Sequence, residues 1–330
     1  TIDWFNKALA IRNDLSKAMS NLGFLYHKQS LRFQKEGNQD AAVISLKKAE
    51  KNFDDAVKQD PEFLDVALNK ASFLSLTDRG LESIDMVLNI LKNISEKFHI
   101  ADEILNNFAL PNGPNTFMNL SDASNQRESA YQEYLLYVPR AILILKVEYN
   151  KKKNYQGLIV AFQYEEEFLK LEFEGIQKKY GSLVNELEMV KSNSRKLRAG
   201  LKMEEFQEIY NNEKKSFELA EINYLQNVAR VFLSISDFYR FLNNNEKSIS
   251  YLNKVIEVAK TKNLPEQDSI ARIQLNAFYL ILNNNDIISK IPIIEENFQK
   301  ASYLGDSELN KSKVRLEKRF NEIKQSLKKE

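Results

Sequence analysis

Apolar residues recur every three to four positions through most of the chain, the spacing that gathers them on one face of a helix. Over residues 155–180 they fall at Leu158, Phe162, Phe168 or Leu169, Phe173, Ile176 and Tyr180, which predicts a helix. Gly181 is the expected stop, with Leu183, Leu187 and Val190 carrying the pattern onto another helix. Gly200 is the next break. No Gly or Pro occurs in 201–264, which predicts helices longer than the roughly 12 to 14 residues usual in a short helical repeat. Pro139 and Pro292 each demand a helix start or a kink. Residues 106–126, NNFALPNGPNTFMNLSDASNQ, are rich in turn formers and predict a loop insertion, pinned to the helices by Phe108, Phe117 and Met118. The last segment, 307–330, predicts a helix with a narrow stripe of Leu316, Phe320, Ile323 and Leu327. Eight basic and three acidic residues follow from Lys311 onward. A polar-faced capping helix is the main reading, and an amphipathic helix meeting an anionic membrane or an acidic partner is the other.

Within this pattern a spacing repeats. Met19, Leu22, Gly23 and Tyr26 are followed by Ala49, Phe53, Ala56 and Pro61. Further on, Phe232, Ile235, Ser236 and Tyr239 are followed by Ser248, Leu252 and Val255. Both sets resemble the tetratricopeptide repeat family, whose 34-residue unit is two antiparallel helices, A then B. The resemblance implies small residues where A and B approach and large ones filling between them. In the first copy about 14 extra residues separate Gly23 from Ala49, which implies that both helices are extended around a turn at Glu36, Gly37 and Asn38.

Other segments hold the same register more loosely. Residues 2–15 look like a helix B without its helix A, with Phe5 and Ala8 in the Phe and Ala positions. Ala67, Ala71, Leu74, Ser83, Val87 and Ile90 keep the register. Ile142, Leu145, Tyr149, Leu158 and Phe162 keep most of it, though Lys146 replaces the small residue. Asn276 and Tyr279 mark a last helix A. The expected fold is all-α, a tetratricopeptide-like α-solenoid of antiparallel helix pairs with longer helices in the middle. Its expected segments are 1–105 (repeats, the first truncated), 106–126 (loop), 127–227 (degenerate helical middle), 228–306 (repeats) and 307–330 (cap). The start inside a repeat implies a fragment of a longer array, whose exposed first helix B packs on an upstream part or a second subunit.

Composition narrows the classes further. Nine Gly and six Pro among 330 residues are too few for the tight turns of a sandwich, barrel or propeller. No apolar run approaches the roughly 20 residues of a membrane span. Lys and Arg (47) nearly cancel Asp and Glu (46), which argues against nucleic acid as partner. Cysteine is absent, excluding disulfides and thiolate chemistry but leaving cytoplasm and periplasm both open. The wealth of Asn and Lys fits an AT-rich, bacterial coding sequence.

Signals of catalysis are close to absent. His27 and His99 are far apart, and neither has a second His four residues on, so no helical metal pair exists. Phosphate-cradling glycine patterns and the nucleophile-elbow pattern are missing. Glu165, Glu166 and Glu167 read as the solvated face of a helix. His27 reads as a solvated groove residue. The 20 Phe and 14 Tyr recur at helical spacing and read as core. No cofactor, no metal and no catalytic residue are expected.

The family resemblance implies a concave face lined by helix A, which usually holds a peptide or another protein. In the first full copy the implied face is Lys17, Ser20, Phe24, His27 and Lys28. In the late copy it is Arg230, Leu233, Asp237, Arg240 and Phe241. Cations mixed with apolar groups suit an acidic-hydrophobic segment. Chaperone-adaptor members place Lys and Asn at the fifth and ninth positions. Here those are Ser20 and Phe24, Leu68 and Ser72, or Leu233 and Asp237, so chaperone tails are disfavoured. The expected function is a non-catalytic protein-binding module or scaffold. Alternatives are a regulator or sensor switched by a peptide or small ligand, and a periplasmic scaffold of a bacterial secretion or flagellar assembly.

Overall fold

The computed structural model describes residues 1–12, 14–108, 120–192, 203–281, 284–301 and 307–327. Among them there are twelve helices and no strand. The chain divides into two compact units, Thr1–Asn154 and Tyr155–Glu330, a boundary inside the segment read from sequence as one helical middle. Unit 1 holds α1 (Ile2–Ile11), α2 (Ser16–Lys35), α3 (Gln39–Gln59), α4 (Leu64–Leu76), α5 (Gly80–Phe108) and α6 (Leu120–Lys151). Unit 2 holds α7 (Tyr155–Ser192), α8 (Met203–Phe241), α9 (Asn245–Thr261), α10 (Pro265–Tyr279), α11 (Asn284–Lys300) and α12 (Ser307–Leu327).

Five turns are built one way. Residues 36–38, 77–79, 152–154, 242–244 and 262–264 each hold one residue at positive φ: Gly37 (77°), Asp78 (59°), Lys153 (51°), Asn243 (56°) and Asn263 (52°). The following amide reaches back five residues in every case, as Asn38 N to Phe33 O and Leu264 N to Ala259 O, at 2.8–3.0 Å. That bond satisfies a helix-end carbonyl, and at the four turns inside a unit the chain reverses in three residues. Asn38 and Asn244 then cap the next helix, accepting from Ala41 N and Lys247 N at 3.1 Å.

Such a short reversal forces the two helices together, and small residues mark where they cross. Ser30 Oγ donates to Ala42 O, and Ser83 Oγ to Ala71 O, both at 2.8 Å. Ser236 and Ser248 exchange bonds, each hydroxyl reaching the other's carbonyl at 3.1 and 2.9 Å. The three pairs are twelve residues apart in sequence and stand equally far from their turns. The first pair of helices contains a second crossing, where Gly23 faces Phe53. A Cβ on Gly23 would lie 2.8 Å from that fully buried ring. Ser30 follows Gly23 by seven residues, and Ala42 precedes Ala49 by seven. The extra residues thus add two turns to each helix while keeping its inner face, because seven residues complete nearly two whole turns.

Unit 2 uses the same step at greater length. On α7 and α8, Phe173 stacks on Tyr224 and Tyr180 on Phe217, both with centroids 4.3 Å apart. The partners are seven residues apart on each helix, which gives an antiparallel aromatic ladder. Nearer the turn, Val228, Phe232, Ile235 and Tyr239 join Leu252 and Val255 of α9 and Leu275 of α10 in the core. Phe320 of α12 is buried against this core beside Phe298, and Leu316, Ile323 and Leu327 pack around it. Lys313 Nζ fixes α12 further by donating to Ala301 O at 2.9 Å. The α12 stripe therefore faces the core, and Arg315, Lys318 and Arg319 face solvent.

The structure corrects two boundaries. Helix α7 runs through Gly181 to Ser192 as one element. A helical glycine costs only about 1 kcal/mol relative to alanine, and the stacking of Tyr180 outweighs it. The expected 106–126 loop is helical at both ends, since α5 reaches Phe108 and α6 begins at Leu120. Its polar residues Asp122, Ser124, Asn125 and Gln126 form the solvent side of a helix whose Ala123 is buried. Arg127 anchors that segment, pairing with Asp102 at 2.9 Å and lying over the rings of Phe98 and Tyr131. Phe117 and Met118 lie outside the described residues, as does Gly200. Pro139 and Pro292 are both interior to helices, α6 and α11.

Two glycines test this packing in opposite directions. Gly23→Ala is expected to cost about 1–3 kcal/mol by displacing Phe53. Gly181→Ala, where a Cβ meets nothing within 4 Å, is expected to gain up to about 1 kcal/mol. Urea denaturation of both variants checks the pair, and equal midpoints would contradict the crossing geometry.

Candidate functional site: the helix A faces

In unit 1 the first helices of successive pairs lie side by side. A polar chain stitches α2, α4 and α6 together. Asn69 Nδ2 donates to Ser20 Oγ at 2.8 Å, and Arg140 donates to Asn69 Oδ1 and, at 3.0 Å, to Asp65 Oδ1. A second knot lies further along. Glu148 is buried and accepts from Ser75 Oγ at 2.5 Å and from Lys151 Nζ at 2.6 Å, and the same ammonium reaches Ser75 O at 2.8 Å. Pairing of 65 with 140 and of 75 with 148 and 151 shows that α4 and the end of α6 run parallel. Tyr137 sits beside these groups. Burial pushes its hydroxyl pKa up, and Asp65 and Glu133 add to that against Arg140.

These contacts decide what the predicted residues of α2 do. Ser20 is buried under Asn69. His27 is also buried, edge-on to Phe73 at 5.4 Å, which corrects the expectation of a solvated groove residue. The reason is α4, which packs over both positions. Phe24 is half-buried, edge-on to Phe53 at 5.1 Å. Lys17 and Lys28 are exposed.

The open apolar surface of this face lies on residues the sequence reading passed over. Leu143 and Val147 of α6 are 60% and 40% exposed, and Leu136 on the same helix is 66% exposed. These three and Arg140 recur at helical spacing along one face. Leu76, at the end of α4 beside the Ser75 knot, is 63% exposed. The signal was present: the positions that yield Lys17, Ser20 and Phe24 in the first copy yield Arg140, Leu143 and Val147 in the copy beginning at Pro139.

In unit 2 the predicted residues of α8 divide similarly. Arg230 is exposed and donates to Asn227 Oδ1 at 3.0 Å. Leu233 packs partly buried against the core. Asp237 pairs with Arg240 at 2.9 Å, and burial raises the Asp237 carboxyl against the pull of that cation. The Arg240 guanidinium lies 5.7 Å from the centre of the Phe241 ring, which is half exposed and stacks on Tyr155 at 5.0 Å. Arg240, Phe241, Tyr155 and Phe238 thus form one aromatic corner, while Arg230 and Leu233 stand further along the helix. Glu165, Glu166 and Glu167 are half-buried, not the fully solvated face expected. Burial raises the Glu166 carboxyl, opposed by Lys254 and Lys170.

Short αL turns, small crossing residues and paired antiparallel helices define a helical-repeat protein. Residues 229–262, which hold the end of α8 and all of α9, match the sequence model of the tetratricopeptide repeat. That match supports a tetratricopeptide-type chain, and degenerate copies elsewhere are consistent with it. No curated protein matches the chain. Repeats of this family generally mediate protein–protein interaction, and their fold is typically non-enzymatic. Among the described residues no group of three or more His, Cys, Asp or Glu is placed to hold a metal ion. Among the same residues no helix is long and apolar enough to cross a membrane.

His27 gives a pH test of the α2–α4 contact. Burial lowers its pKa below the ordinary 6.5, so the folded chain holds the neutral ring. Its contribution is fully present above 6.5 and is lost as pH falls from there toward the lowered value, because the unfolded chain takes up the proton first. The wild type is therefore expected to lose more stability than His27→Gln between neutral and mildly acid pH. Parallel stability–pH curves would show that the ring is not held neutral.

Proposed function

We propose that the chain is a non-catalytic protein-binding module, and that the helix A face of unit 1 takes an acidic-hydrophobic segment of a partner. The observation that carries this reading is the exposure of Leu143 and Val147 at repeat positions where the first copy has Ser20 buried and Phe24 half-buried. Leu76 and Leu136 extend the apolar surface, and a row of exposed large apolar residues is a common mark of an interaction site. Lys17 and Lys28 supply exposed positive charge on α2. That combination favours apolar side chains flanked by Asp or Glu in the partner.

Selection of a displayed peptide library against the full chain tests the reading. The enriched peptides are expected to carry that composition. Their affinity is expected to fall about tenfold or more in the double variant Leu143→Glu, Val147→Glu. Val43→Glu with Ile44→Glu, at exposed positions on α3, is expected to leave binding unchanged. Peptides held equally by the Leu143/Val147 variant would move the binding face elsewhere.

A further inference from the structure

Helix α9 ends at Thr261, and Lys262 in the turn after it pairs with Glu221 of α8 at 2.8 Å. The α7–α8 pair continues past that level. The register that sets Phe173 against Tyr224 and Tyr180 against Phe217 brings residues 176–189 of α7 opposite 208–221 of α8. Among the described side chains of these two stretches none is buried, whereas from Val228 onward α8 joins α9 and α10 in the core. Two helices packed only on each other leave a side of their seam open, and apolar seams are ordinarily covered by a further layer. Here that open side is a groove of about 610 Å³.

Ile176, Tyr180, Leu183 and Phe217 give the groove its apolar lining, and its charges are divided between the two ends. Lys179 stands at one end. Glu186 stands at the other, seven residues on, which is two turns along the same face and about 10 Å away. Glu213 lines the groove from α8 and stands level with residue 184, so the two carboxylates share an end. Lys179, Glu186 and Glu213 are exposed, and none of them makes an ion pair among the described residues. Between the charged ends lie Ser182 and Ser216, both small and exposed.

We propose that this groove is the interface of a symmetric dimer, closed by the same groove of a second copy of the chain lying antiparallel to it. In a two-fold contact, if one residue meets another then the second meets the first across the axis. The midpoint of Lys179 and Glu186 falls between Ser182 and Leu183. Two α7 helices crossing antiparallel at that point set each Lys179 against the Glu186 and Glu213 of the other copy. Small side chains at the crossing let the helices approach, and the apolar lining of one groove covers that of the other. A basic segment meets a like charge at Lys179, and an acidic one meets like charges at Glu186 and Glu213, so a partner of one sign fits one end only. The exposed ion pairs fix the register, while the apolar lining supplies most of the association. The interface makes no use of the unit 1 face, so it stands or falls independently of the peptide-binding reading.

Sedimentation velocity of the full chain from about 1 to 200 µM, the range in which a modest interface associates, tests the proposal. The mass is expected to rise with concentration toward twice that of one chain. Lys179→Glu and Glu186→Lys, both at exposed positions, are each expected to weaken association about tenfold or more, with circular dichroism unchanged. An equimolar mixture of the two variants is expected to associate more tightly than either alone, because each introduced charge then meets its opposite at both ends of the groove. A chain that stays monomeric throughout would overturn the proposal and leave the groove to a different partner. A dimer indifferent to both substitutions would overturn it by moving the contact to another face. A mixture no tighter than the separate variants would do so by denying the two-fold pairing.

Discussion

The close approach of two helices at a small residue is the constraint on which both units depend. A three-residue turn leaves the helices no room to separate, so the pair stands or falls with the side chains at the crossing. Gly23, Ala42, Ala71, Ser236 and Ser248 are small there. Where the residue is Ser, its hydroxyl bonds the opposite backbone and so meets the requirement for satisfied polarity in a buried contact. Large residues such as Phe53 fill the space that this approach creates. A sequence that keeps the turn and the crossing is free to vary much else, which accounts for copies matching the family pattern only in part.

Much of the architecture was legible for that reason. Gly23, Ser83, Ser236 and Ser248, the turn at 36–38 and the late copy from Phe232 to Val255 all stood in the sequence at fixed spacing. The two misread boundaries share a cause. Gly181 and the polar run around Asp122 are weak local signals, and each was overridden by a tertiary contact that composition does not record. Tyr180 meets Phe217 in one case, and Arg127 meets Asp102 in the other. Propensity is a prior that packing revises.

Surface function was harder to read. A position in the repeat says which way a side chain points relative to its own helix pair. Whether it meets solvent depends on the next pair. Ser20 and His27 on α2 are covered by α4, while Leu143 and Val147 on α6 remain open. The polar chain from Ser20 through Asn69 to Arg140 and Asp65 joins residues up to 120 positions apart, and no local pattern announces it. The polar network on α10 is of the same kind. Asp268 and Arg272 are an ordinary pair one turn apart on a helix, and Asn297 on the facing helix holds the guanidinium in place.

The seven-residue extension of the first pair has a consequence for heredity. An insertion of two or five codons in α2 or α3 would rotate every later apolar residue off the shared face. Seven codons in each helix, placed symmetrically about the turn, restore the face and add a fresh layer of contact. The coding sequence of such a pair is therefore free to lengthen in matched steps, and α7 with α8 carries the same step in its aromatic ladder. Matched seven-residue steps lengthen a pair without redesigning its core.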